Sequence, residues 1–223
     1  MSQGPRVPSG PGFLFWGVMK KVVVLIDGFN VYHALQNETK LHKYKWLDYY
    51  KLAKCYIPLK DQIVDVYFFT AYAHWNPKKV AKHRIYLKAL SMAGVKPVFG
   101  KFKDKDHKCR ICGKNYSTFE EKQTDVNIAI TLFRLAVLND FDVAILISGD
   151  TDLVPAVEAI RNTFPNKQIG VVVPIGRRAK ELIDVCDFHM KMKEKHLRTS
   201  QLPDTIVLDP QKNIVLQKPP TWI

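Results

Sequence analysis

Five runs along the chain are apolar without alternation: residues 22–26, 63–70, 95–99, 143–147 and 169–173. A strand with one wet face alternates apolar and polar residues, whereas a strand covered on both faces does not. These Val-, Ile- and Phe-rich runs therefore predict strands buried on both sides. Between them, helices are predicted over 31–36, 49–55, 77–93, 124–138, 152–163 and 177–186. Strands that alternate with helices build βαβ units around a parallel sheet. The expected fold is α/β: one doubly wound, three-layer α/β/α domain over residues 19–190, with a central, mainly parallel sheet of about five strands.

The pattern changes at both ends. Residues 1–18 begin rich in Gly, Pro and Ser, and predict a disordered extension. From 191 to 223 a basic stretch (Lys191, Lys193, Lys195, Arg198) precedes two short apolar pieces, 206–208 and 214–216, punctuated by prolines. That segment reads either as a hairpin on the sheet edge or as an interaction tail, and a partly ordered tail is expected.

Charge adds a partner. Lys and Arg number 34 against 21 Asp and Glu, a net +13, which points to a polyanion, most often nucleic acid. A generally basic surface is the plainer reading. No run approaches the roughly 18 apolar residues of a membrane span. The apolar run 13–18 falls short of the roughly 7–15 residues of a signal-peptide core. Four cysteines without a secretion signal point to a reducing, cytoplasmic setting, with free thiols or a metal site.

Ligands of open parallel sheets bind beyond the carboxyl ends of the strands. The first strand runs into Asp27, with Asn30 three residues on, and the fourth into Ser148-Gly149-Asp150-Thr151-Asp152. Asp125 falls in the first turn of the 124–138 helix, with Thr124 as its expected N-cap. Four acids on one rim repel one another, and a divalent cation relieves that repulsion. Mg²⁺ suits such a site, because it takes oxygen ligands and can act on a phosphodiester. The plainer reading makes Asp27 and Asp150 helix caps. The doubling of Asp150 with Asp152, and the placing of Asn30, favour chemistry. The chain lacks G-x-G-x-x-G, G-x-x-x-x-G-K-[ST] and G-x-S-x-G, which argues against dinucleotide, P-loop and α/β-hydrolase sites.

Three segments then carry a resemblance: Ile26-Asp27-Gly28-Phe29-Asn30, Lys122-Gln123-Thr124-Asp125-Val126 and Ser148-Gly149-Asp150-Thr151-Asp152. They resemble the signatures of NYN domains, in the PIN-like nuclease superfamily, and the chain is most similar to the LabA-like (DUF88) branch. The resemblance covers about residues 20–190. It implies a PIN-like fold and hydrolysis of RNA with Mg²⁺ or Mn²⁺ held by Asp27, Asp125, Asp150 and Asp152. It also implies that Asn30 orients substrate or water, that Ser148 and Thr151 add hydroxyls to the rim, and that Lys122 reaches a phosphate. The expected partner is single-stranded or structured RNA. Some relatives bind or regulate instead of cutting, so a non-cleaving RNA-binding module is the alternative. A phosphatase or nucleotidase on the same scaffold is a third reading. A homo-oligomer is left open.

Cys109-Arg110-Ile111-Cys112-Gly113 looks like half of a zinc knuckle. His107, His74, His83 or Cys55 are candidates for further Zn²⁺ ligands, and a reduced, metal-free loop is the other reading. This 101–121 segment is expected as a basic loop over the acidic rim. Tyr116 and Phe119 would either stack on bases or tuck into the core. Lys78, Lys79 and Lys82 on the third helix, and Arg177 and Arg178 after the fifth strand, are candidates for phosphate contacts.

Overall fold

Side chains alternate across a strand, so a run apolar at every position must be covered on both faces. The first strand, β1 (Lys21–Asp27), meets this demand. Val22, Val24 and Ile26 enter one core, and Val23 and Leu25 enter the other. Each fully buried side chain of this kind contributes about 2 kcal/mol.

The computed structural model describes residues 18–209, 211–212 and 214–222. The expected N-terminal extension, 1–18, lies outside the described residues apart from Val18. After β1 come α1 (Gly28–Gln36), α2 (Tyr49–Lys54), β2 (Gln62–Thr70), α3 (Pro77–Met92) and β3 (Val95–Phe99). Then follow β4 (Lys101–Lys108), β5 (Asn115–Lys122), α4 (Thr124–Val137), β6 (Val143–Ile147), α5 (Val154–Thr163), β7 (Gln168–Val173) and α6 (Lys180–Val185). The chain continues through β8 (Phe188–Lys191), α7 (Glu194–Thr199), β9 (Thr205–Asp209) and β10 (Ile214–Gln217).

The central sheet is wholly parallel, in the order β3-β2-β1-β6-β7-β8. Buried residues of α1, α2, α3 and α7 share one core, and those of α4, α5 and α6 share the other. This is the expected three-layer α/β/α architecture, with six strands where about five were anticipated. The sixth, β8, alternates half-buried and exposed residues at the sheet edge, so it lacks the continuous apolar signal of β1, β6 and β7; β3, at the opposite edge, buries only Val95 and is not covered on both faces as expected.

Two further differences have physical causes. The 101–121 segment is an antiparallel hairpin, β4–β5, and not a loop. Its strands are mostly exposed and carry polar residues on both faces, so no burial pattern announces them. The last core helix starts at Lys180 and not at 177, because Pro174-Ile175-Gly176 turns the chain first, with Gly176 at φ 73°.

Beyond residue 191, α7 buries Leu197, and Leu202 joins the same core. The indole N–H of Trp46 donates to the Pro203 carbonyl at 2.9 Å, and Trp222 lies edge-on to Tyr86. β9 and β10 form their own two-stranded sheet and do not extend the central one.

Candidate metal centre and nucleic-acid groove

From β1 the chain crosses to β2 on one side, and from β6 to β7 on the other. The crevice between the carboxyl ends of β1 and β6 is the switch point where open α/β sheets bind ligands. Asp27 ends β1 and is almost fully buried. Its Oδ1 accepts the Asn30 N–H at 2.9 Å, which caps α1. Its Oδ2 accepts the Ser148 hydroxyl at 2.9 Å. Ser148 Oγ in turn accepts the Asp150 N–H, and Asp150 Oδ1 accepts the Asp152 N–H, both at 3.0 Å. The Asn30 side-chain carbonyl accepts the Gly149 N–H at 3.0 Å. The two strand ends are thus laced together by the residues that carry the acids.

Gly28 makes this closeness feasible. A Cβ there would lie 2.5 Å from the Phe69 carbonyl oxygen, so any side chain would push α1 off β2.

Asp125 arrives from the other direction, in the first turn of α4. The expected N-cap, Thr124, is instead the first helical residue. The cap position is Gln123, in the left-handed region at φ 80°. Glu121 serves the helix end: its carboxylate accepts the Thr124 N–H at 3.1 Å and also the Thr124 hydroxyl.

Asp27, Asp125 and Asp150 come together, each offering an oxygen within 4.8 Å of the others. Asp152 does not join this cluster. It is exposed on the short 3-10 turn Thr151–Leu153, and Thr151 is exposed beside it.

The electrostatics fit the crowding. Burial first, then the charges of Asp150, Asp27, Glu121 and Asp152, push the Asp125 carboxyl up to about 6. Burial also raises Asp27, against the pull of its hydrogen bonds from Asn30 and Ser148. Glu121 acts on both acids and escaped the sequence reading, because it precedes Thr124, whereas the Glu of a capping box follows its cap by three residues. The donor set, carboxylate oxygens at close quarters, is that of a hard divalent ion such as Mg²⁺ or Mn²⁺.

The remaining expected residues occupy other places. Lys122 Nζ pairs with Glu120 at 3.0 Å. Arg177 packs against Gly149, where a Cβ would lie 3.1 Å from its own, and its charge helps to lower His33 after burial does. The Arg177 Nε is buried without a partner among the described residues, and Arg178 is exposed.

A groove of about 720 Å³ opens beside the acids. Its lining includes Phe29, Tyr32, Trp75 and Phe102, with Lys79 on one wall and Glu121 at the acidic end. Trp75 lies flat on Phe119 with ring centroids 3.7 Å apart, and Phe102 meets both Trp75 and Phe29 edge-on. Phe119 thus anchors the hairpin root, whereas Tyr116 stays half exposed and stacks on His107 near the tip.

The candidate zinc ligands do not converge. Cys55 lies at the end of α2 beside Ser200, and His83 faces Thr70 in the groove. His74 is near Asp104, and His107 bonds Thr118.

A three-layer α/β/α domain with three carboxylates at its switch point offers oxygen donors for a divalent cation at the rim where parallel sheets bind ligands. The NYN domain model matches residues 21–193, and the chain belongs to the NYN family, a family of nucleases. It is 25% identical to the 6-hydroxy-3-succinoylpyridine 3-monooxygenase HspA of Pseudomonas putida (strain DSM 28022 / S16), over 80% of this chain and 67% of that protein. A protein of unknown function from Vibrio parahaemolyticus RIMD 2210633, VPA0982, shares the fold with a TM-score of 0.55. It is 22% identical and covers 79% of this chain, which covers 94% of it. No helix among the described residues is long and apolar enough to cross a membrane.

Proposed function

We propose that the chain is a ribonuclease that hydrolyses RNA phosphodiester bonds with Mg²⁺ or Mn²⁺ held by Asp27, Asp125 and Asp150. The observation that carries this reading is the convergence of those three carboxylates at the switch point of a NYN domain. Held by these three carboxylates, a divalent ion would supply Lewis-acid charge for a phosphoryl oxygen and the attacking water.

The protein's own residues do the positioning. Ser148 ties Asp27 to the Asp150 turn, and Asn30 holds Gly149, so the acids keep their spacing as the charge on them changes. Asp152 acts on the centre through its field on Asp125 and not as a metal ligand. Arg177, which packs against the Gly149 turn and whose buried Nε has no partner among the described residues, is the guanidinium nearest the acids and is suited to a phosphate through its outer nitrogens. Arg178, Lys79 and Thr151 lie further out, where a strand leaving the centre would pass. The aromatic groove suits unstacked bases, which favours single-stranded RNA over duplex.

The test compares wild type with Asp150→Asn on labelled RNA, DNA and a mononucleotide, with and without Mn²⁺. Cleavage of RNA by wild type only with metal, slowed by roughly two to three orders of magnitude in the variant, is expected. Salt-sensitive binding without metal-dependent turnover would instead identify an RNA-binding module. Activity confined to the mononucleotide would identify a nucleotidase.

A second reading comes from the groove and one relative's name. A cavity of this size lined by aromatic rings also accommodates a small aromatic heterocycle of the kind HspA is named for. Hydroxylation of such a ring in the presence of a reductant and oxygen, unchanged by Asp150→Asn, would favour it.

A further inference from the structure

The cysteine pair that the carboxylate centre leaves unused sits at the tip of the β4–β5 hairpin. The turn there is already shaped. The Gly113 N–H donates to the Cys109 carbonyl at 2.9 Å, and the Cys109 N–H donates to the Lys114 carbonyl at 2.8 Å. Gly113 closes the turn at φ 73°, a backbone state that favours glycine. The backbone N–H groups of Cys112 and Ile111 face the Cys109 sulfur. N–H groups aimed at a sulfur favour the thiolate, the form that binds metal.

A structural Zn²⁺ takes four ligands, and this tip supplies two. All seven histidines and four cysteines of the chain lie among the described residues. None of them, and no described carboxylate, forms a ligand cluster with Cys109 and Cys112. His107, two residues away, is engaged by Thr118 and Tyr116. The missing half of the site must come from outside the chain.

The tip is open to a second one. Cys112 is exposed, and Ile111 between the cysteines is 98% exposed, an apolar side chain with nothing over it. The tip also carries Lys108, Arg110 and Lys114, with Lys105 close behind, and these would keep two bare tips apart. Four thiolates around one Zn²⁺ carry a net charge of about −2, which turns that repulsion into attraction. A two-fold pairing of identical tips is the simplest closed arrangement that provides four sulfurs.

We propose that two copies of the chain share one Zn²⁺ through Cys109 and Cys112 of each, a four-sulfur clasp between hairpin tips. It does not depend on the nuclease reading. The clasp engages the hairpin end opposite its root, where Glu121 and the aromatic groove lie, so both carboxylate centres stay open.

The experiment uses the full chain, purified with zinc under a phosphine reductant. Metal content is read by elemental mass spectrometry and oligomeric state by light scattering. Wild type is expected to hold about one Zn²⁺ per two chains as a dimer, and EDTA to return it to monomer. Co²⁺ in place of zinc should show the absorption of a tetrahedral four-thiolate site. The double variant Cys109→Ser/Cys112→Ser should lose the metal and weaken the dimer by roughly a hundredfold or more, with an unchanged circular dichroism melt. One Zn²⁺ per chain on a monomer, a wild type without zinc, or a dimer that survives EDTA would overturn the proposal. Because EDTA acts on wild type, the conclusion stands even where the variant folds poorly.

Discussion

Asp27 and Asp150 each divide their two oxygens between tasks. One oxygen caps the following turn, on Asn30 for Asp27 and on Asp152 for Asp150. For Asp27, Ser148 donates to the other, and both acids still offer an oxygen to the cluster. Capping and clustering, read from sequence as rivals, occur together: the caps stop the carboxylates from swinging away from each other. Asp125 has no such tether among the described residues, and its carboxyl is pushed up to about 6. The shift has a stability consequence with a definite sign. An acid raised above its ordinary value of 3.8 favours folding while protonated. Its contribution is complete below about pH 4 and lost as pH rises through about 6. Without divalent ions, Asp125→Asn should therefore stabilise the protein at pH 8 by about 1 kcal/mol after solvent screening, and by nothing near pH 4. Thermal melts at the two pH values check this. Mg²⁺ or Mn²⁺ should remove the wild type's disadvantage at pH 8 and leave the variant's melt nearly unmoved.

At the scale of elements, the hairpin is the piece that most needs tertiary support. β4 and β5 bury little of their own surface, and a two-stranded hairpin is marginal alone. The Trp75–Phe119 stack, with Phe102 and Phe29 edge-on, joins its root to the loop after β2 and to α1. Trp75→Ala should lower overall stability by about 1 kcal/mol, since Trp75 is partly exposed, but should loosen the hairpin far more. Hydrogen exchange is the measurement: amides of 101–122 should exchange faster while those of β1 and β6 do not. If the groove holds bases, the same variant should also weaken RNA binding without changing the metal requirement.

Over the whole molecule, the +13 charge and the small acidic centre divide the work. Lys79 and Lys82 line the groove from α3, which also carries Lys78, and Arg177 and Arg178 follow β7 at the same rim as the acids. With about five phosphates contacted, binding of single-stranded RNA should show a log–log salt slope near −3.5. That is roughly a hundredfold loss over a fourfold rise in salt. Fluorescence anisotropy on Asp150→Asn, which keeps the RNA intact, measures it. A flat response would remove nucleic acid as the partner.

The primary structure determined by itself what depends on local pattern. Strands buried on both faces announce themselves as unbroken apolar runs, so β1, β6, β7 and the buried half of β2, and with them the parallel α/β class, were legible; β3 was found too, but it is an edge strand with Lys96 and Phe99 exposed and not the doubly covered strand expected. So were Asp27, Asp125 and Asp150, because each sits at the junction of a strand or turn with a helix. What the tertiary structure decided depends on cross-chain geometry. Asp27 and Ser148 are 121 residues apart, and they meet only because β1 and β6 are neighbours in the sheet. The same packing brought in Glu121, left Asp152 at the edge of the cluster, and turned a presumed loop into a hairpin held by Trp75. It also left Cys109 and Cys112 with two ligands where zinc needs four. A local sequence pattern records which face of an element will be buried, but not which distant side chain will lie against it.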